Sequence, residues 1–418
     1  MAAPDLSVLR SRFPALGRRM DGRPCVFADA PGGSQMPEAV LDAMRDYLVG
    51  SNANTHGTFV TSEETDELIA RARVAGADLL GADPDQIVFG QNATSLLLAV
   101  SRSFGRTLGR GDEVVVTRLD HDANIRPWVL AARDAGAIVR WVDVHDDDVN
   151  LDLDSLDAAL SDRTRLVAVT LASNAVGTVA PATEVARRAH AAGALVCVDG
   201  VHAAQHRSID VAAIGADIAV CSPYKFFGPH LGMLWAREEL LASWEPYKVR
   251  PASDAVPDRW ETGTLNHEGL AGFVAAVDYL AEIGDTFGAR EANVGDRRQR
   301  IRRGFDAIGA WERELSDRFL SGLEAIEHVR LFGIGDRARL DERTPTFAVR
   351  VGEQPPIETT RALGDRGIFT WDGHYYALEL MERLGLEPDL GGAVRIGFCH
   401  YSTPDEVDRV LDELATLP

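Results

Sequence analysis

Seven short apolar runs between residues 86 and 240 constrain this chain more than any other feature of it. They read QIVFG, DEVVVT, AIVRWVDV, TRLVAVTLAS, ALVCVDG, DIAVCS and GMLWA. Their richness in Val, Ile and Leu is that of strands buried on both faces. Stretches with helical periodicity separate several of them, among them SLLLAVSRSFGRTL, IRPWVLAARDAG and ATEVARRAHAAG. Strands alternating with helices predict an α/β fold on a largely parallel sheet.

A chain of 418 residues is too long for one compact core and predicts about two domains. From about residue 285 the pattern changes. An Arg- and Glu-rich helical stretch is followed by the strand-like TPTFAVRV, GIFTWDG and AVRIGFCHY and a last helix, PDEVDRVLDELATL. The expected division is a large domain over 21–284 and a smaller α+β domain made of 1–20 and 285–418.

Charge and composition exclude several functions. Lys+Arg 43 against Asp+Glu 64 gives a net charge of −21, which disfavours a nucleic-acid partner. No apolar run approaches the length of a membrane span, and the first twenty residues lack the apolar stretch of a signal peptide. A cytoplasmic protein with no membrane partner is expected. Cys25, Cys197, Cys221 and Cys399 form no C-x-x-C pair, and their spacing suits neither zinc nor a disulfide framework. No metal is expected.

In open α/β sheets, ligands bind beyond the carboxyl ends of the strands. The residues directly after each run are therefore informative. QIVFG leads into QNATS, with Thr94 and Ser95 opening a helix. EVVVTRL leads into DHDAN, with His121. LVAVTLAS leads into Asn174. ALVCV runs into Asp199, with His202 three residues on. DIAVCS ends at Ser222, and Lys225 comes shortly after. Each residue alone has an ordinary structural explanation, such as a turn-forming Asp or a helix cap. Their coincidence on one sheet edge does not.

The set fits pyridoxal phosphate. Its aldehyde calls for an amine to form a Schiff base, here Lys225. Its pyridine nitrogen calls for a buried carboxylate, here Asp199. Its phosphate calls for N–H groups and hydroxyls at a helix start, here Thr94 and Ser95 with Ser222 alongside. A flat partner for the ring is available in His121. Asn174 and His202 are candidates to contact the phenolic oxygen.

The motifs also resemble those of fold-type I pyridoxal-phosphate enzymes of aminotransferase class V, in their cysteine-desulfurase-like branch. The resemblance spans nearly the whole chain. It is carried by DHDANIRPW, TLASNAVGT, VDGVHAAQH, SPYKFFGPHLG, ETGTLN and VRIGFCHYSTPDEVDRVL. It implies stacking by His121, cofactor contacts by Asn174 and His202 (where many members carry Gln), a pyridinium partner in Asp199 and a Schiff base on Lys225. Tyr224 stands where a phosphate-binding His is usual. The resemblance further implies a homodimer in which Thr264 reaches the partner's cofactor, and a substrate carboxylate held by Arg395, a task that suits a bidentate guanidinium. The expected fold is a large domain with a mainly parallel seven-stranded sheet plus a small C-terminal domain.

Two departures bear on the reaction. Desulfurases of this branch carry a nucleophilic cysteine on a small-domain loop. The corresponding stretch here is FTWDGHYYA, with Tyr376 in the cysteine's position and Trp371 in that of an arginine. The aromatic cluster Trp371, His374, Tyr375 and Tyr376 is either core packing or the wall of a pocket for a substrate larger than cysteine. His56, in NANTHGTF, is a further candidate substrate contact. Gly32 and Gly33 are expected to let the backbone approach a substrate. The resulting expectation is a C–S β-lyase acting on a cysteine S-conjugate, in the setting of natural-product biosynthesis. The alternatives are a decarboxylation-dependent oxidative deaminase, a cysteine desulfurase using Cys399, a class V aminotransferase or epimerase, and a binding protein without catalytic activity.

Overall fold

The computed structural model describes residues 3–288 and 295–418. All seven runs form strands: β1 (Ile87–Gly90), β2 (Glu113–Thr117), β3 (Ile138–Val142), β4 (Thr164–Thr170), β5 (Leu195–Asp199), β6 (Ile218–Cys221) and β7 (Gly232–Ala236). They make one sheet in the order β1-β7-β6-β5-β4-β2-β3. Only β7 runs antiparallel to its neighbours, pairing with β1 and β6. The remaining pairs are parallel.

The absence of polar alternation in these strands has a direct cause. Successive side chains point to opposite faces, and both faces are buried in every strand but the edge strand β3, where Ile138 and Arg140 are exposed. Val115, Val167, Val196, Val198 and Met233 enter one core. Val114, Val116, Leu166, Cys197 and Leu234 enter the other. The second core is closed by the helices Ala93–Gly105 and Arg126–Ala135, where Phe104 meets Trp128 edge-on at 5.7 Å. On the opposite side the helices Glu38–Gly50 and Val60–Leu80 pack on the long helix His267–Phe287.

A second sheet has four antiparallel strands, β8 (Val329–Phe332), β9 (Thr346–Val351), β10 (Trp371–Gly373) and β11 (Ala393–Gly397), in the order β8-β9-β11-β10. β8 has no counterpart among the strands expected from sequence, because its only apolar alternation is the four residues VRLF. The expected long helix is Arg297–Leu323; the first residues of the predicted stretch, 290–294, lie outside the described residues. The N-terminal segment joins this second unit. Arg10 forms a bidentate pair with Glu406 at 2.8 and 2.9 Å and donates to the Tyr401 carbonyl. The attachment continues past residue 20: Val26–Phe27 pairs in parallel with Ile368–Phe369, and Asp29 bridges Gly397. No helix among the described residues is long and apolar enough to cross a membrane.

The loop after β4 ties the two sheets together. Thr344 N–H donates to Gly177 O at 2.8 Å, Val179 N–H donates to Glu342 O at 2.8 Å, and Thr178 bridges Arg343. Gly177 has φ +78°, and a Cβ there would lie 3.0 Å from Thr344 O and strike Thr346 O. Only glycine tolerates that combination. Gly177→Ala should therefore cost roughly 1–3 kcal/mol of stability, read as a lowered thermal midpoint. An unchanged midpoint would show that this junction is not tight.

Candidate active site

A cavity of about 1060 Å³ opens beyond the carboxyl ends of β4, β5 and β6. It gathers Thr94, Ser95, His121, Asn174, Asp199, His202, Ser222, Tyr224 and Lys225 from the large sheet's loops, and Trp371, Tyr376 and Arg395 from the small one. Twelve of the fourteen residues with an expected cofactor or substrate contact thus meet in one place, joined there by Gly32, His374 and Tyr375. The other two do not. Thr264 is exposed and outside the cavity of its own chain, and the segment's motif residue Glu261 is spent on Arg73 at 2.9 Å and on the Phe89 N–H at 2.8 Å. His56 is exposed, with Nδ1 3.3 Å from Asp66.

Lys225 sits on a single 3₁₀ turn, Pro223–Lys225, just after β6. Its Nζ donates to the Pro31 carbonyl and lies 5.0 Å from the centre of the Tyr224 ring. Burial, reinforced by the Arg395 charge, lowers its pKa to about 7. Lys225 thus reaches neutral pH with much of its amine unprotonated and nucleophilic. Asp199 closes β5, and its Oδ1 accepts from the Val201 N–H at 2.8 Å. Oδ2 has no protein partner among the described residues. Burial raises this carboxyl to about 6.

The helix Ala93–Gly105 begins at the cavity, with Asn92 Oδ1 accepting from the Ser95 N–H at 2.8 Å. Ser222 Oγ accepts from the Ala93 N–H at 3.3 Å, which leaves its own proton to donate into the cavity. Among the described residues, the Thr94 N–H and the Thr94 and Ser95 hydroxyls have no protein partner. A helix start with spare donors of this kind suits an anion.

His121 accepts the Ala123 N–H on Nδ1 at 3.0 Å, so its ring proton resides on Nε2. Burial lowers its pKa to about 3 and keeps it neutral. One face of the imidazole stacks on Tyr376, with ring centres 5.5 Å apart and 17° between planes.

Several of these residues also hold neighbouring parts of the fold. Asn174 donates one Nδ2 hydrogen to the Tyr375 carbonyl at 2.9 Å and so holds the small-sheet loop. His202 Nε2 contacts the Thr344 and Thr346 hydroxyls at 3.1 and 3.2 Å, and burial holds the imidazole well below its ordinary pKa. Tyr224 stacks on His230 with ring centres 5.1 Å apart. Gly32, which lines the cavity, and Gly33 both make room for neighbouring side chains. A Cβ on Gly32 would strike the Trp371 indole, and one on Gly33 would lie 3.2 Å from the Tyr224 ring. Cys399 is fully buried two residues past β11 and does not line the cavity, and burial pushes its thiol well above the ordinary range.

Sequence reasoning missed three contributors. His230 stacks behind Tyr224 and lines the cavity. Arg126 stands at its edge. Asp29 lies close enough to Lys225 and Arg395 to feel both charges, and burial raises its pKa to about 6. Only Asp29 had a signal, since it comes after the apolar CVFA and precedes a Pro-Gly-Gly turn.

A family profile described as aminotransferase class-V matches residues 26–294 and 300–410. The chain belongs to the aminotransferase class-V family. It is 36% identical over 427 residues to a protein of Mycobacterium leprae named "Probable cysteine desulfurase 2", covering 97% of this chain and 95% of that one. It is 32% identical to the "Probable cysteine desulfurase" of Streptomyces coelicolor, covering 98% and 96%. The apo structure of cysteine desulfurase from Thermococcus onnurineus superposes with a TM-score of 0.86 at 27% identity, covering 99% of this chain and 97% of that one.

The chain is therefore a pyridoxal-phosphate-dependent enzyme of the class-V family with the cysteine-desulfurase-like fold. Its donor set fits that cofactor: an amine held near neutrality, an Asp199 oxygen free of protein partners among the described residues, spare hydroxyls at a helix start and a flat neutral imidazole. Lys225 is the only lysine lining the cavity among the described residues. Uptake of pyridoxal phosphate by the cofactor-free protein should accelerate as pH rises through about 7, because only the deprotonated amine attacks an aldehyde. After borohydride reduction, intact-mass spectrometry should find the phosphopyridoxyl group on the wild type and not on Lys225→Ala. A midpoint near that of an ordinary lysine, about 10, or covalent capture by the variant, would contradict this assignment.

Proposed function

We propose that this class-V enzyme is a C–S β-lyase acting on a cysteine S-conjugate. The observation that carries the reading is the absence of a thiol where the amine, carboxylate and guanidinium meet. No described residue lining the cavity is a cysteine, and Tyr375 and Tyr376 occupy the loop in front of it. A phenol does not accept sulfur to give a persulfide, so a sulfur leaving group departs without being transferred to the protein.

Each residue's part follows from its surroundings. Arg395 is buried beside Asn174, donating Nη1–H to the Asn174 carbonyl at 2.9 Å. Its remaining donors bind the substrate carboxylate and orient Cα. The bound cofactor supplies the electron sink for charge that develops at Cα. Asp199 would hold a proton on the ring nitrogen of the bound cofactor, and His121 would supply a flat partner for its ring. Lys225 Nζ takes the Cα proton, a role that its lowered pKa suits at neutral pH. Trp371 and Tyr376 line the small-sheet side of the cavity. The C–S electron pair leaves with sulfur, so that conjugate and water give thiol, pyruvate and ammonium.

The same reading includes a homodimer. Thr264 and His56 are exposed and away from the cavity of their own chain, which is where residues that complete a partner's site would lie. The same reading keeps the cytoplasmic setting expected from the sequence.

Pyruvate release from S-substituted cysteines tests the assignment. Lys225→Ala should lower kcat by at least about 100-fold, whereas Cys399→Ser should leave turnover unchanged. Loss of turnover in a folded Cys399→Ser variant, or alanine as product, would favour desulfuration. Release of an aldehyde would favour decarboxylation.

A further inference from the structure

We propose that the substrate's side chain ends in a planar aromatic group, held against the Trp371 indole and the Tyr376 phenol. The inference rests on reading this cavity as an amino-acid site with Arg395 as its carboxylate clamp. It does not depend on which bond is then broken.

Three observations carry it. The first is register. β10 and β11 pair Trp371 directly with Arg395. Directly opposed residues of an antiparallel pair send their side chains to the same face. The indole therefore stands beside the guanidinium, and a substrate anchored there by its carboxylate has an aromatic surface within reach. The missing Cβ of Gly32 lets the indole sit on the backbone opposite. Despite that seat, Trp371 remains 52% exposed.

The second is strain. Tyr375 and Tyr376 have φ of +52° and +59°, a conformation that bulky side chains rarely adopt. The loop is held there from several sides. Asn174 Nδ2 donates to Tyr375 O, the Asp122 N–H donates to Tyr376 O at 2.6 Å, and the Tyr376 N–H donates to His374 Nδ1 at 3.1 Å. The Arg395 guanidinium lies over the Tyr375 ring at 4.4 Å. Strained backbone persists where surrounding contacts over-determine it. Its result here is that Tyr376, 68% exposed, is aligned parallel to His121. Burial does not explain the position of that ring.

The third is the remainder of the wall. Tyr224 and His230 form a second parallel pair, 15° between planes, lining the same cavity. Rings with accessible faces reward a planar aromatic ligand beyond the area it buries. A saturated ring of equal size gains the area alone.

The test uses two ligands without a C–S bond, L-2-amino-5-phenylpentanoate and L-2-amino-5-cyclohexylpentanoate. Their binding to the holoenzyme is measured by calorimetry, with L-norvaline as a short reference. The phenyl ligand should bind roughly 2- to 12-fold more tightly than the cyclohexyl one. That preference, taken as the ratio of the two affinities within each variant, should shrink in Trp371→Leu and in Tyr376→Leu, whatever each substitution does to norvaline binding. Equal or reversed affinities in the wild type would overturn the proposal, as would a preference that survives both substitutions. Because neither ligand can be cleaved at sulfur, this result is independent of pyruvate release. A failed lyase assay with an intact aromatic preference would reject the reaction and keep the substrate class.

Discussion

The site depends on burying an amine and a carboxylate at the ends of adjacent parallel strands. β5 and β6 pair in register, from Cys197 opposite Ile218 to Asp199 opposite Val220, so that Asp199 and the turn carrying Lys225 emerge side by side. Neither group is comfortable there. Desolvation drives the amine down to about 7 and the carboxyl up to about 6. Each charge offsets part of the other's penalty. A pair poised in this way favours a ligand that brings an aldehyde for the amine and a basic nitrogen for the acid.

The second dependence is on the junction between the sheets. Arg395 and the aromatic loop come from the small sheet, yet they act beside groups from the large one. The loop 174–178 bridges them. It accepts from Arg395, donates to Tyr375 and carries the Gly177 contact with Thr344. Arg343, buried with no carboxylate beside it among the described residues, donates to the carbonyls of Ile334, Thr344 and Thr346 and so fixes the other half of the junction. On the proposed reading, substrate binding and the cohesion of the two sheets share the same few residues.

Much of this is legible in the sequence, for a physical reason. A strand buried on both faces must be apolar throughout, and its last residue must meet the ligand edge. The strands and the residues at their ends can thus be read together. Residues whose role comes from a partner distant in sequence are harder to read. β8 is too short to show periodicity, and Arg395 meets Asn174 and Tyr375 only through the folded junction. That Trp371 and Tyr224 pack against the glycines at 32 and 33 could not be read from the sequence, because Trp371 and Tyr224 lie far from them along the chain. Thr264 and His56 are not tied to the cavity, because a single chain does not bring them to it.

The fate of the three-carbon skeleton tests elimination most directly. A cysteine S-conjugate labelled with ¹³C at all three backbone carbons is turned over in D₂O, and the products are read by NMR. Elimination predicts labelled pyruvate with deuterium in its methyl group, and free thiol in equal amount. Labelled alanine, with sulfur retained on the protein or passed to an acceptor, would contradict it.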